Sequence, residues 1–146
     1  MPTVRKSVLV AQAAETMFAL VEEVERYPEF LPWCTSTQVY ERTSHTIRAR
    51  LDIAYRGLRT HVTTRNEVEA PHRMTLELVD GPFERFDGEW RFTPLGEAGC
   101  RVDFTLDYRL VSGPLDILMS RVFDHVADTL VERFVERADA MGARDA

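Results

Sequence analysis

The chain has 146 residues, of which 45% are apolar and 29% charged, and its net charge is −6. This length suits a single domain over residues 1–146 that buries about two-thirds of its unfolded surface without disulfides or metal. The acidic balance argues against a protein that coats nucleic acid over its whole surface. No apolar run approaches the roughly 20 residues of a membrane span, and the N-terminus lacks a signal-peptide pattern, so we expect a cytoplasmic protein.

The N-terminal part of the chain is predicted to form a strand, a helix and a proline-bounded turn. Residues 3–10 alternate in a period of two, which indicates a strand. Apolar residues at spacings of three and four then predict a helix over residues 13–24. Pro28 and Pro32 end regular helix, so the segment YPEFLP is a short helical turn or loop.

A series of strands follows. Residues 35–41 form a weakly patterned strand, and five clearer strands are separated by turn residues at 43–44, 57, 70–71, 81–82 and 96–99. One side of each strand is apolar and the other polar, which is typical of an antiparallel sheet covered on one face. The inward candidates are Ile47, Leu51, Ile53, Tyr55, Leu58, Val62, Val68, Met74, Leu76, Leu78, Phe86, Trp90, Phe92, Val102, Phe104, Leu106, Tyr108 and Leu110.

A long amphipathic helix ends the chain. Gly113 and Pro114 begin a segment that reaches Met141, about 40 Å at 1.5 Å per residue. Its apolar stripe needs a large concave partner, which a curved antiparallel sheet provides. The stripe contains Leu115, Met119, Val122, Val126, Leu130, Phe134 and Ala138, widened by Phe123, Ala127 and Val131.

Three segments combine aromatic residues with proline or glycine: YPEFLPWC at 27–34, VDGPF at 79–83 and GEWRFTPL at 88–95. In this order, before a long terminal helix, they resemble the START-like proteins of the ribosome-association toxin and coenzyme Q-binding group. That group is also labelled oligoketide cyclase or lipid transport proteins, within the polyketide cyclase/dehydrase superfamily. The resemblance covers nearly the whole chain. It implies an α+β helix-grip fold, in which a curved antiparallel β-sheet wraps around a long C-terminal α-helix.

The resemblance also implies two functions of different classes. The first is non-enzymatic binding of a lipophilic ligand, with ubiquinone as the expected one, by a carrier or chaperone that supports respiration. The second is a toxin of the toxin-antitoxin type that binds the large ribosomal subunit and blocks subunit joining. A polyketide cyclase or dehydrase is a minor alternative. The two main functions are compatible with each other.

We expect a ligand cavity between the helix and the sheet, since concave apolar pockets with few polar groups are the usual small-molecule sites. Alternatively, each candidate side chain is part of a filled hydrophobic core and contacts no ligand. Tyr55, Tyr108 and Trp90 have polar tips that suit a quinone head group. The candidate wall residues are Phe30, Leu31, Trp33, Leu51, Ile53, Tyr55, Val62, Phe83, Trp90, Phe104, Tyr108, Met119 and Phe123.

The sequence predicts no catalytic residue, no metal site and no cofactor other than a bound ubiquinone. Cys34 and Cys100 lie outside any metal-ligand spacing and are expected to be buried thiols. The four histidines form no pattern with Ser, Cys, Asp or Glu at a diagnostic spacing. Arg65 is the best polar candidate for the cavity if its strand carries a bulge.

Residues 42–65 carry six arginines and one acid, Asp52. Strand parity places Arg48, Arg50, Arg59 and Arg65 together on the outer face of the sheet. Guanidinium groups on such a face pair with phosphate and release counterions, so the large ribosomal subunit and the anionic headgroups of a peripherally contacted membrane are both candidate partners. Alternatively, the face is an ordinary solvated surface that neighbouring acids such as Glu77 neutralise.

Overall fold

Seven strands form one antiparallel sheet in the computed structural model, which describes residues 3–113 and 116–145. The order across the sheet is β1-β7-β6-β5-β4-β3-β2. Strands β2 to β7 therefore pair in chain order as successive hairpins, and β1 pairs with β7. The predicted strands and turns are confirmed. Their bounds are β1 Thr3–Val10, β2 Cys34–Arg42, β3 Thr46–Tyr55, β4 Leu58–Glu69, β5 Arg73–Asp80, β6 Phe83–Pro94 and β7 Cys100–Leu110.

The hairpin between β3 and β4 shows why the turns lie where the sequence places them. Tyr55 and Leu58 are paired across the two strands, so only Arg56 and Gly57 connect them. Both residues have positive φ, 49° and 82° respectively. Two successive left-handed residues match the twist of the flanking strands, and glycine adopts that conformation without steric cost.

The helices differ slightly from their predicted bounds. Helix α1 covers Ala14–Glu22, and a 3-10 helix over Val24–Glu29 follows it, with Pro28 inside that segment. The regular helix therefore ends two residues before the predicted residue 24. Helix α2 covers Asp116–Asp145, about 45 Å at 1.5 Å per residue. The predicted helix start at Pro114 and the stripe residue Leu115 lie outside the described residues.

The core lies between the inner face of the sheet and the helices. Trp90 on β6 shows this packing, with its ring centroid 4.6 Å from that of Phe104 on β7 and 5.3 Å from that of Phe134 on α2. On α2 the predicted stripe faces inward, since Val122, Phe134 and Ala138 are buried. The α+β helix-grip architecture is confirmed. Among the described residues, no helix combines the length and apolar character that a membrane crossing requires.

Candidate functional site

An apolar cavity lies between the inner face of the sheet, α1, the 3-10 helix and α2. It leaves about 100 Å³ for the centres of water-sized molecules. A water needs about 10–15 Å³ of such space, so the cavity has room for roughly seven to ten waters. At about 30 Å³ per water in the liquid, this corresponds to a cavity of about 200–300 Å³. That volume is near the lower end of the range for ligand pockets. The wall consists of Val21, Val24, Tyr27, Trp33, Ala49, Leu51, Ile53, Val62, Thr64, Asn66, Met74, Leu76, Phe86, Trp90, Phe104, Leu106, Phe123, Val126, Ala127, Leu130 and Phe134.

Seven of the thirteen predicted wall residues line this cavity. They come from the loop before β2, from β3, β4, β6 and β7, and from α2, so the fold brings together side chains that are distant in sequence. Both tryptophans of the chain are among them. The seven are Trp33, Leu51, Ile53, Val62, Trp90, Phe104 and Phe123.

The other six predicted residues lie elsewhere. Leu31 is fully buried in the core, and Met119 is partly buried at its edge. Phe30 and Phe83 pack edge-to-face against aromatic rings of α2, with centroid distances of 5.1 and 4.6 Å. These side chains hold α2 against the rest of the molecule and do not line the cavity.

Tyr55 and Tyr108, two of the predicted polar contacts for a ligand, do not line the cavity. Both side chains contact residues of α2 instead. The ring of Tyr55 stacks on His125 of α2 with 4.2 Å between centroids. The Tyr108 hydroxyl donates a hydrogen bond of 2.7 Å to Asp124 Oδ1, and burial raises the pKa of this phenol. Of the three predicted polar contacts, Trp90 alone lies on the cavity wall.

Two polar wall residues of β4 were missed by the sequence reasoning. Thr64 and Asn66 on β4 share the inward parity of Val62 and Val68, and they are 7% and 5% exposed. The period-two signal that identified the two valines also identifies these residues. The predicted inward set included only apolar residues, so it omitted them.

Arg65 does not take the inward position that a bulge was expected to give it. The register between β4 and β5 does shift between Thr63 and Thr64. Arg65 nevertheless remains exposed, and its side chain lies 3.9 Å from Glu67. The polar side chains that β4 contributes to the wall are those of Thr64 and Asn66.

Asn66 has an incomplete set of hydrogen bonds. Its Nδ2 donates to the sulfur of Met74 at 3.8 Å, a weak interaction. Its Oδ1 is buried and has no hydrogen-bond partner among the described residues. Asn66 therefore carries a buried amide oxygen that no described residue satisfies.

Two further polar side chains on the wall are already paired. The Tyr27 hydroxyl donates to the carbonyl of Val21, and burial raises the pKa of this phenol. Trp33 Nε1 donates to Thr129 Oγ1 at 3.1 Å, and Thr129 in turn donates to the carbonyl of His125 at 2.8 Å. These bonds fix α1 and the loop before β2 in place and leave neither donor directed at a ligand.

Groups suited to acid-base or nucleophilic chemistry are sparse around the cavity. The wall residues include no carboxylate, imidazole, amine, guanidinium or thiol. Cys34 and Cys100 are buried outside the wall, and burial raises the pKa of the Cys34 thiol to about 12, so it stays protonated. Within residues 3–113 and 116–145, no cluster of three His, Cys, Asp or Glu is placed to hold a metal.

The four predicted arginines do share the outer face of β3 and β4, where paired acids partly neutralise them. Arg50 bonds Asp52 at 2.9 Å, and Arg65 lies near Glu67. Arg48 stands 5.4 Å from the ring centroid of Tyr40. Among the described residues, Arg48 and Arg59 form no ion pair.

The strand register arranges four charged residues in one row across this face. Arg48 and Arg65 are directly opposite one another on β3 and β4. Glu41 on β2 is opposite Arg48, and Glu77 on β5 is opposite Arg65. This row thus contains two arginines between two acids, so its positive charge is local and the row as a whole is balanced.

A curved antiparallel sheet closed by a long C-terminal helix defines the class of helix-grip proteins. The chain belongs to the family described as polyketide cyclase / dehydrase and lipid transport, whose model matches residues 10–135. A solved START superfamily protein from Mycobacterium smegmatis has the same fold, with a TM-score of 0.80 at 21% identity, covering 95% of this chain and 98% of that one. The predicted family and the START-like fold are confirmed.

Two relatives reflect the two functions that the family resemblance implies. The chain is 37% identical over 138 residues to "Ribosome association toxin RatA" of Escherichia coli K12, covering 94% of this chain and 87% of that protein. It is 26% identical over 144 residues to "Coenzyme Q-binding protein COQ10 homolog B, mitochondrial" of Xenopus laevis, covering 95% of this chain and 59% of that protein.

Proposed function

We propose that the protein binds a lipophilic molecule of the quinone class in the cavity beneath α2 and acts in the cytoplasm as a carrier, without chemical turnover. The observation that supports this most strongly is the apolar cavity itself, whose wall combines two tryptophans with aliphatic side chains and only a few polar atoms. Membership of a lipid transport family and likeness to a coenzyme Q-binding protein support the ligand class. Among the described residues, the wall includes no carboxylate, imidazole, amine, guanidinium or thiol, which supports a carrier over a cyclase.

The size of the cavity limits how much ligand is enclosed. About ten buried carbons contribute roughly 8 kcal/mol, at about 0.8 kcal/mol each. Association costs about half of that or more, so a ligand of this size binds in the millimolar range. A long isoprenoid tail tightens binding only if the helix and sheet separate further, or if the tail lies along the half-buried residues Leu76 and Phe86.

Intrinsic fluorescence tests this proposal directly, because both tryptophans of the chain, Trp33 and Trp90, line the cavity. Titration with a short-tailed ubiquinone analogue is expected to quench emission saturably, whereas collisional quenching of free tryptophan amide does not saturate. The variant Val62→Phe fills the cavity and is expected to weaken binding at least tenfold. Glu67→Phe adds the same ring to the exposed side of β4 and is expected to bind as the wild type does. Unsaturable quenching of the wild type, or equal binding by Val62→Phe, contradicts the proposal.

Ribosome association is a second candidate, favoured by the 37% identity to a ribosome association toxin over nearly the whole chain. The outer face of β3 and β4 supports it, since Arg48 and Arg59 project from this face and form no ion pair among the described residues. On this proposal the two guanidinium groups contact phosphates of the large ribosomal subunit. Binding then weakens as salt rises, because each phosphate contact releases condensed counterions.

Charge-reversal variants distinguish a specific ribosome contact on this face from a general effect of the protein's net charge. The double variant Arg48→Glu with Arg59→Glu is expected to lose co-sedimentation with large subunits on sucrose gradients and to keep ligand binding. Arg85→Glu with Arg101→Glu is the matched control, since it makes the same change in net charge on β6 and β7. Unchanged sedimentation of the first variant, or equal loss in both, excludes this face as the ribosome contact.

A further inference from the structure

Trp90 carries an indole N–H that has no hydrogen-bond partner among the described residues. The side chain is 3% exposed and lies on the cavity wall. Within the part of the chain that the structure describes, the fully enclosed side-chain atoms without a partner are Asn66 Oδ1 and Arg137 Nε, and the Trp90 nitrogen is not one of them. That nitrogen therefore keeps a small accessible surface, and for a buried side chain on the wall this surface faces the cavity.

Aromatic packing fixes the position of this indole. Its ring lies against those of Phe92, Phe104 and Phe134, with centroid distances of 6.0, 4.6 and 5.3 Å. These rings offer only their π faces, which are weaker acceptors than a carbonyl oxygen. A buried tryptophan N–H usually has a partner, because an unpaired donor has lost its bonds to water. The donor is thus held in place and is satisfied best when an acceptor enters the cavity.

The other polar groups of the wall leave Trp90 as the donor in its part of the cavity. The side chains of Tyr27 and Trp33 donate to groups of the protein, and the Asn66 amide oxygen is fully enclosed. Thr64 lies on β4, two strands away from β6, and the register sets it four residues, roughly 13 Å, further along the sheet. Its hydroxyl therefore belongs to a different part of the wall.

Burial differs along the wall on either side of this donor. Phe104 and Phe134, which contact the indole, are both 1% exposed, whereas Leu76 and Phe86 are half-buried. Phe86 precedes Trp90 by four residues on the same face of β6, roughly 13 Å along the strand. The donor thus lies in the enclosed part of the cavity, and the wall becomes more exposed toward Leu76 and Phe86.

We propose that Trp90 Nε1 donates a hydrogen bond to a carbonyl oxygen of the bound ligand. The carbonyl-bearing head of the ligand then lies in the enclosed part of the cavity, and its apolar tail extends toward Leu76 and Phe86. The inference rests on the proposed carrier function and adds the group that anchors the head and the direction of the tail. An indole N–H donates and does not accept, so the site favours a carbonyl over a hydrocarbon group of the same shape.

The indole signals in a proton–nitrogen correlation spectrum test the inference on the wild-type protein. The chain has two tryptophans, so Trp33→Phe identifies the signal of Trp90. Acetophenone and isopropylbenzene serve as probes, since a methyl group of the second replaces the carbonyl oxygen of the first. Acetophenone is expected to move the Trp90 indole proton downfield in a saturable way, and isopropylbenzene is expected not to. The Trp33 indole, already bonded to Thr129, is the internal control.

Two results overturn the inference while the proposed function stands. One is the same downfield shift with both probes. The other is no downfield shift with acetophenone while the methyl signals of Leu51, Ile53 and Val62 show that it is bound. If neither these probes nor a short-tailed ubiquinone analogue shifts any signal of the wall, the inference and the proposed function are both wrong.

A variant and a longer probe test the hydrogen bond and the orientation separately. Trp90→Phe is expected to weaken the binding of acetophenone about fivefold more than that of isopropylbenzene, the effect of one ordinary hydrogen bond. Equal weakening of both contradicts the bond. With a decyl-tailed ubiquinone analogue, nuclear Overhauser contacts are expected between the tail and the ring of Phe86. Contacts of the head group with Phe86 instead overturn the orientation.

Discussion

Ala49→Leu is expected to stabilise the protein, because Ala49 faces the cavity. Ala49 is 1% exposed and lies on the wall, so its methyl group borders open space within the molecule. Leucine places three more carbons in that space, worth about 2.4 kcal/mol at 0.8 kcal/mol each. Lost side-chain freedom takes about 0.5–1 kcal/mol of this gain, which leaves about 1.5–2 kcal/mol. For a chain of 146 residues the corresponding rise in Tm is about 3–8 °C.

The matched control is Ala138→Leu on α2. Ala138 is also 1% exposed, and it does not line the cavity. Extra carbons in a filled region force neighbouring side chains out of their preferred rotamers, which costs about 1–3 kcal/mol. Both variants are compared with the wild type by calorimetric and urea unfolding. If Ala49→Leu destabilises the protein as much as Ala138→Leu does, the region beneath α2 is a closed core and the cavity assignment is wrong.

Two contacts that hold the N-terminal elements give further predictions. Arg42 bonds Glu25 at 2.6 Å and holds the pKa of that carboxyl at about 2, below its ordinary 4.5. A lowered folded-state pKa stabilises the protein above pH 4.5, so Glu25→Gln is expected to cost about 0.5–1 kcal/mol at pH 7, as exposed ion pairs do. This cost is expected to shrink below pH 4.5 and to vanish as the pH falls through about 2. Urea unfolding across that range measures this, and a constant difference contradicts it. Trp33→Phe removes the bond to Thr129 and part of the cavity wall, and is expected to cost about 1–3 kcal/mol in urea unfolding. An unchanged midpoint would show that this bond contributes no net stability.

The strands could be predicted because one side of the sheet is buried and the other faces solvent. Period-two alternation follows from that asymmetry, and the turn residues fix where each strand ends. The end of α1 was predicted two residues too late. A 3-10 helix that contains Pro28 follows α1, and no simple hydrophobic period marks the change from α-helix to 3-10 helix. The long helix was predicted from its stripe, which contacts the sheet as expected.

The cavity was predicted less completely than the fold. Aromatic residues such as Phe30 and Phe83 have the composition of a ligand wall, but they pack against rings of α2, and only the three-dimensional arrangement distinguishes the two roles. Thr64 and Asn66 were recoverable from parity alone. They were missed because the inward set was restricted to apolar side chains, although polar anchors in such cavities are expected.

The central claim is that the cavity binds a lipophilic molecule, and organic extraction of natively purified protein followed by mass spectrometry tests it most directly. Val62→Phe and an unrelated protein, both purified from the same cells, serve as controls. The account predicts that the wild-type extract is enriched in a quinone-class lipid whose long tail adds contacts beyond the enclosed cavity, and that the Val62→Phe extract is depleted of it. An extract indistinguishable from that of the unrelated protein contradicts the lipid-carrier function and leaves ribosome association as the remaining candidate.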